Sequence, residues 1–137
     1  MSAANIAAVA PVSVRPAPPC ENCKWVRRRS RVVCERKDFG MSFDVQKAAR
    51  IVRDHPRPLE SWTPRQLSHY VTEADVTLRH LPHVDNSKPG IVGVVRHRGR
   101  LRKFIVEGNH RAFNKRRARE PYHFYPLTEE ETARCRK

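Results

Sequence analysis

The sequence lacks the features that would place it in a membrane or in the secretory pathway. No run among its 137 residues approaches the roughly 20 apolar residues that a transmembrane helix needs. The first 19 residues carry no basic segment ahead of an apolar one, so they do not resemble a secretory signal. We therefore expect a cytoplasmic protein with no membrane partner, whose four cysteines stay reduced or bind metal.

Several enzyme signatures are also missing. The chain has no Walker loop, no nucleophile elbow, no kinase signature and no H-E-x-x-H zinc motif. His80, His83 and Asp85 are close enough in sequence to line a divalent metal site, but a surface loop is the simpler interpretation. No known catalytic motif therefore assigns an activity.

Acidic residues are scarce. Twenty-eight Lys and Arg against fourteen Asp and Glu give a net charge of +14. Residues 96–119 hold ten of the basic residues and one acid, and residues 1–40 hold eight basic and three acidic residues. Because this charge is clustered, it should attract polyanions. We favour nucleic acid or an anionic ligand as the partner over a basic surface that binds nothing.

The chain divides by composition into three parts. Residues 1–19 are rich in Ala, Val and Pro and are predicted to form a disordered tail. Residues 20–40 form a basic arm that contains three of the four cysteines. Residues 41–137 carry the apolar periodicity of a folded domain.

The third part combines helical and strand patterns and predicts an α+β fold. Its helices are expected at 43–54 with Ser42 as the cap, from Thr63 to about Val71, at Asn109–Arg119, and after Thr128. Its strands are expected at Ile91–Val95, Leu101–Val106 and Tyr122–Leu127, the first two joined in a hairpin through Gly99.

The junction between the second strand and the following helix suggests a binding loop. Gly108 allows a sharp turn and the close approach of a ligand to the backbone. The first amides of the helix have no intrahelical partner and favour an anion, Arg111 can grip phosphate oxygens, and His110 can supply a donor or a proton. Asn109 would cap the helix or contact the ligand. An ordinary strand–turn–helix explains the same spacing equally well.

Glu107-Gly108-Asn109-His110-Arg111-Ala112 after an apolar strand resembles the ParB/sulfiredoxin superfamily, whose members carry an acidic residue, Gly and a pair ending in Arg at a helix start. Lys88-Pro89-Gly90-Ile91-Val92 is similar to the P-x-V strand that precedes the motif in these proteins. The segment from Pro121 to Glu130 resembles their closing strand and helix. The resemblance spans about residues 42–132 and implies a small mixed sheet with packed helices.

The resemblance implies a nucleotide- or phosphate-binding site made of Gly108, Asn109, His110 and Arg111. In ParB proteins the Gly and Arg of this loop hold the phosphates of CTP, a nucleotide that binds with magnesium. Sulfiredoxins carry a catalytic Cys where this chain has Asn109, so their chemistry is not implied. No helix-turn-helix region follows, so we expect a domain of this kind rather than a complete partition protein.

An enzyme on the same fold, either a phosphotransferase or a nuclease, is the second interpretation. Glu107 and His110 would then be the acid–base candidates. The free-serine kinases of the superfamily carry Asp-Gly-His-His-Arg, which is close to Glu107–Arg111, and they also need an upstream Glu. Glu60 and Glu73 are the upstream glutamates available within this domain.

The basic arm suggests a metal site. Cys20 and Cys23 have C-x-x-C spacing and Cys34 can add a third thiolate to zinc, with Cys135 or His55 as the fourth ligand. Cysteines that bind no metal are an equal alternative, and a redox pair is the least favoured.

Six basic side chains are the candidate nucleic-acid contacts. They are Lys115, Arg116 and Arg117 in the second half of the chain, and Arg27, Arg28 and Arg29 in the arm, with Trp25 nearby for stacking. The third interpretation of function is therefore a small zinc-ribbon adaptor for nucleic acid, in which the Gly108–Arg111 loop grips backbone phosphate.

Overall fold

The fold was examined in a computed structural model, which describes residues 33–137. The predicted tail and most of the arm, including Cys20, Cys23, Trp25 and Arg27–Arg29, lie outside the described residues. Within residues 33–137 no helix has the length and apolar character needed to cross a bilayer.

The described chain is an α+β structure. Its strands are β1 (Val33–Arg36), β2 (Met41–Asp44), β3 (Glu60–Trp62), β4 (Gly90–His97), β5 (Arg100–Glu107) and β6 (Tyr122–Pro126). Its α-helices are α1 (Val45–Asp54), α2 (Pro64–Leu67), α3 (Asn109–Ala118) and α4 (Glu129–Cys135). Short 3-10 helices cover Glu73–Asp75 and Leu78–His83.

Four of these strands form a mixed sheet in the order β3-β6-β4-β5. The pairs β3–β6 and β4–β5 are antiparallel, whereas β4 and β6 run parallel. Strands β1 and β2 form a separate antiparallel hairpin. The arrangement brings the carboxyl end of β5 next to the start of β4, where Ile91 pairs with Glu107.

Two apolar clusters lie on opposite faces of this sheet. Side chains alternate along β5: Phe104 and Val106 belong to one cluster, and Ile105 belongs to the other. The first cluster is completed by the β1–β2 hairpin, α1 and Cys135 of α4. The second contains Trp62, Tyr122 and residues of α2 and α3. Helix α3 therefore packs against the sheet immediately after the Gly108 junction, where the sequence predicts a binding loop.

The predicted elements of the second half are confirmed, with small shifts at their ends. The capping boxes at Thr63 and Thr128 are both present. The prediction that Ser42 caps the first helix is wrong, because Ser42 belongs to β2 and the carboxylate of Asp44 accepts from the Lys47 amide at 3.0 Å. Helix α2 ends at Leu67, and separate turns continue from there to Val71.

A partly buried ion pair joins α4 to the linker after α1. Nη2 of Arg57 donates to Oε2 of Glu131 at 2.9 Å, Nη1 donates to Oε1 of the same carboxylate, and Nη1 also donates to the Pro126 carbonyl at 3.0 Å. The two side chains are only 13% and 12% exposed. The Arg57 hydrogen bond, more than any other contact, lowers the pKa of Glu131 to about 2.

Candidate phosphate-binding site

The junction of β5 and α3 is built around Gly108. Its backbone is left-handed, with φ 109° and ψ 21°, and it occupies the position that caps α3. The first hydrogen bond of the helix runs from the Ala112 amide to the Gly108 carbonyl at 2.8 Å. The amides of Asn109, His110 and Arg111 precede this bond and so have no intrahelical acceptor. Asn109 is the first helical residue, and no side-chain bond caps the helix.

The buried ring of Tyr122 lies under this loop. Its hydroxyl is 3.4 Å from the carbonyl oxygens of both Glu107 and Gly108. Burial raises the pKa of this phenol well above its ordinary value, so it remains a neutral donor. A Cβ at Gly108 would lie 2.5 Å from the hydroxyl, and one at Gly90 would lie 1.7 Å from it. Both glycines are therefore required by the close approach of β4, β6 and the loop.

Arg111 connects the loop to the start of β4. Its Nη1 donates to the Pro89 carbonyl at 2.6 Å and to the Lys88 carbonyl at 3.3 Å, and its Nη2 donates to Oε2 of Glu107 at 3.4 Å. The side chain is 14% exposed. These acceptors orient the guanidinium before any ligand arrives, and they use only part of its five N–H groups.

A pocket of about 280 Å³ opens in front of the helix start. The segment Glu107–Arg111 forms one wall, and residues of the second 3-10 helix and the turn after it form the opposite wall. These residues are His80, His83, Val84, Asp85 and Lys88. The structure therefore brings together all four residues of the predicted binding loop. The same pocket holds His80, His83 and Asp85, which the sequence grouped as a possible metal site, and Val84 and Lys88, which it left unassigned.

Lys88 is the most informative of the additional residues. It is exposed, it lines this pocket and two neighbouring cavities, and within residues 33–137 its ammonium group has no hydrogen-bond or ion-pair partner. Its charge acts on the neighbouring Asp85 carboxylate, and a cation beside helix amides that have no intrahelical acceptor favours an anionic ligand. In the sequence, Lys88 only precedes the Pro-Gly pair at the start of a strand. Nothing in that pattern predicts that Lys88 lines the same pocket as Gly108.

Two histidines, His80 and His110, make contacts between the two walls of the pocket. Nε2 of His110 accepts from the Thr77 amide at 3.0 Å, so the neutral ring carries its proton on Nδ1. The ring of His80 stands edge-on to that of His110, with 5.0 Å between centroids. Burial, and to a smaller extent His83, lower the pKa of His80. Nδ1 of His83 is buried without a hydrogen-bond partner in the described part of the chain.

The two carboxylates of the pocket differ in what they contact. Asp85 accepts from the Ser87 hydroxyl at 2.6 Å and from its amide at 3.0 Å, and the hydroxyl is the main cause of the lowered pKa of Asp85. The side chain of Glu107 is 40% exposed and contacts Arg111 at 3.4 Å. Glu107 can therefore turn an oxygen toward a ligand or an ion.

The basic residues farther along α3 make intramolecular contacts. Lys115 pairs with Glu120 at 3.2 Å, Arg116 donates to the Val71 carbonyl at 2.9 Å, and Arg117 donates to the side-chain oxygen of Asn114 at 3.2 Å. Asn114 is buried and donates to Asn86 and to the Leu81 carbonyl. Asn114 thus fastens α3 to the segment that forms the far wall of the pocket, whereas the three basic side chains contact α3 itself, the residue Glu120 that follows it, and Val71.

The described residues do not assemble a metal centre on their own. Residues 33–137 contain no group of three or more His, Cys, Asp or Glu side chains placed to hold an ion. The thiol of Cys34 is buried in the first apolar cluster, 3.6 Å from the Ile105 carbonyl, and Cys135 is buried in the same cluster. Burial raises the pKa of the Cys135 thiol. The zinc prediction therefore rests on Cys20 and Cys23, outside the described range.

Comparisons with protein-family models, with curated proteins and with solved structures find no match for this chain.

Proposed function

We propose that this protein is a nucleotide- or phosphate-binding domain of the ParB/sulfiredoxin-like type that acts with nucleic acid. The observation that carries the proposal is the meeting of the α3 amides and the Lys88 side chain in one pocket. The amides present partial positive charge and hydrogen-bond donors, and Lys88 adds a full charge. Phosphate satisfies both, because each of its oxygens accepts hydrogen bonds.

The remaining pocket residues take complementary roles in this proposal. Gly108 supplies the left-handed turn from which the first amides of α3 start, and Arg111 contributes its unused N–H groups from a fixed position. Glu107 and Asp85 offer carboxylate oxygens to a magnesium ion that arrives with the phosphates. Magnesium usually needs only one or two protein carboxylates in addition to phosphate and water.

Replacing Lys88 with Ala should weaken nucleotide binding about tenfold or more, because charge-assisted hydrogen bonds contribute roughly 1.5–3 kcal/mol. Since the ammonium group has no partner within residues 33–137, the folded structure should not change. Calorimetric titration with ribonucleoside triphosphates, with and without magnesium, measures the effect. A thermal-shift screen identifies the nucleotide first, since a ligand that binds only the native state raises the melting temperature.

The matched control is Lys103→Ala, which removes the same charge from an exposed position of β5. It should retain the wild-type affinity apart from a small long-range effect. Equal losses in the two variants, or the absence of any nucleotide that binds, would contradict the proposal. Turnover of the bound nucleotide would instead support the enzyme alternative, with Glu107 and His110 as the first residues to substitute.

A further inference from the structure

The β4–β5 hairpin ends in a strongly basic tip, which we define as residues 96–103. The tip contains four arginines and one lysine and no acidic residue. Every residue of the tip except His97 is exposed. Its turn lies at the opposite end of β5 from Glu107, so that at the usual rise of a strand Arg100 is about 23 Å and Lys103 about 13 Å from the pocket. The tip is therefore a surface distinct from the proposed nucleotide site.

The cations of the tip are largely uncommitted. Arg98, Arg100 and Lys103 make no side-chain hydrogen bond or ion pair within residues 33–137. Arg96 lies 3.6 Å from Glu129, with both side chains about half exposed, which is a weak surface pair. The tip thus differs from the basic residues of α3, whose side chains are used within the fold.

The backbone of the turn gives an independent indication. Arg98 and Gly99 both have positive φ, 53° and 77°, and they form the two-residue turn between His97 and Arg100. Such a turn favours Asn-Gly, because Cβ crowds the following carbonyl oxygen in the left-handed region, and the short polar side chain of Asn offsets this cost by bonding locally. Arg98 therefore occupies a turn position where arginine is less favourable for stability than asparagine. Strain of this kind is typical of functional positions.

We propose that the tip binds the phosphate backbone of duplex DNA from the major groove. Guanidinium groups match phosphate oxygens through paired hydrogen bonds. A two-stranded β-ribbon fits the major groove of B-form DNA, which is about 12 Å wide, whereas the major groove of duplex RNA is deep and narrow. The tip exposes no Phe, Tyr or Trp on which the bases of a single strand would stack.

The test compares two double variants of the full chain that lose equal charge. Arg98→Asn with Arg100→Gln alters the tip, and Lys47→Gln with Arg50→Gln alters the exposed face of α1. Fluorescence anisotropy with a short mixed-sequence DNA duplex is recorded over a series of salt concentrations. The tip variant should bind about tenfold more weakly and lose about two units of salt slope, because each phosphate contact contributes about 0.9.

The α1 variant should keep the wild-type slope, and Lys88→Ala should bind the duplex normally because its pocket is remote. A wrong proposal for the nucleotide site would therefore leave the measured DNA binding unchanged, so the two proposals can be tested separately. If the two double variants lose affinity equally, overall charge rather than the tip attracts DNA. Equal affinity for single-stranded DNA or duplex RNA would also overturn the proposal.

The single variant Arg98→Asn separates binding from folding. Asparagine tolerates the left-handed backbone, so the melting temperature should rise by a few degrees while affinity for the duplex falls. If Arg98 acts only in the turn, the melting temperature should rise and the affinity for the duplex should stay the same. Unchanged DNA affinity in this more stable variant would therefore also count against the tip.

Discussion

The variant Arg57→Ala should lose about 1.5–3 kcal/mol of its free energy of unfolding, because the partly buried Glu131 carboxylate loses its charge-assisted hydrogen bonds. Such a loss is a large part of the stability of an ordinary small domain. The matched control is Arg53→Ala, which breaks a pair with Asp54 whose side chains are 69% and 57% exposed. The control should change stability by less than about 1 kcal/mol. Urea denaturation of both variants measures the difference. Equal losses of unfolding free energy would show that the Arg57–Glu131 pair contributes no more than an exposed pair.

The same ion pair makes stability depend on acid. The pKa of Glu131 falls from an ordinary value of 4.5 to about 2 in the folded protein. The carboxylate therefore contributes its full stabilisation above pH 4.5 and loses it as the pH falls toward 2. The contribution is about 3 kcal/mol by the usual conversion of a pKa shift. Glu131→Gln should flatten this part of the curve of unfolding free energy against pH. A wild-type curve that is already flat there would contradict the assignment.

The variant Gly90→Ala should be destabilised by about 3 kcal/mol or more, since the added methyl group has no space. Its carbon would lie 1.7 Å from the Tyr122 hydroxyl and 2.8 Å from the Glu107 carbonyl. Relief would require movement of the strand ends that hold the Gly108 loop. We therefore expect loss of nucleotide affinity as well, measured at a temperature where the variant remains folded.

Two comparisons test the cause. Gly40→Ala adds a methyl group in open space at φ 67°, so it should show only the strain of the left-handed backbone, roughly 1–2 kcal/mol. Adding Tyr122→Phe to Gly90→Ala removes the nearest atom but leaves Cζ at 2.7 Å, so the recovery should be partial. If Gly90→Ala is as stable as the wild type, the close approach of β4 to Tyr122 does not exist in solution.

Local chemistry made the second half of the fold predictable from sequence. The Gly99 turn, the Gly108 junction and the two capping boxes each depend on residues that are neighbours in the chain, so their patterns survive in the sequence. Strands β1, β2 and β3 were not predicted. They are only three or four residues long, and β3 pairs with β6 more than sixty positions away. The residues near β3 in the sequence therefore do not predict that it pairs with β6.

The candidate site was predictable only in part, for the same reason. The loop Gly108–Arg111 is contiguous, so its motif is visible in the sequence, and its predicted role follows from the family resemblance. Lys88, His83 and Tyr122 come to it from other elements, and their positions depend on how β4 and β6 meet. The contacts that Arg111 makes with the Pro89 and Lys88 carbonyls were also hidden, because a basic residue near a helix start does not show which acceptors face it.

The order β3-β6-β4-β5 has a consequence for how the protein forms during synthesis. Strand β6 lies between β3 and β4, so β3 has no partner in this sheet until residues 122–126 have left the ribosome. The β4–β5 hairpin can form earlier, since its strands are joined by two residues. The hydroxyl that supports the Gly108 loop also belongs to β6. A nascent chain can therefore form the β4–β5 hairpin before the pocket in front of α3 is complete.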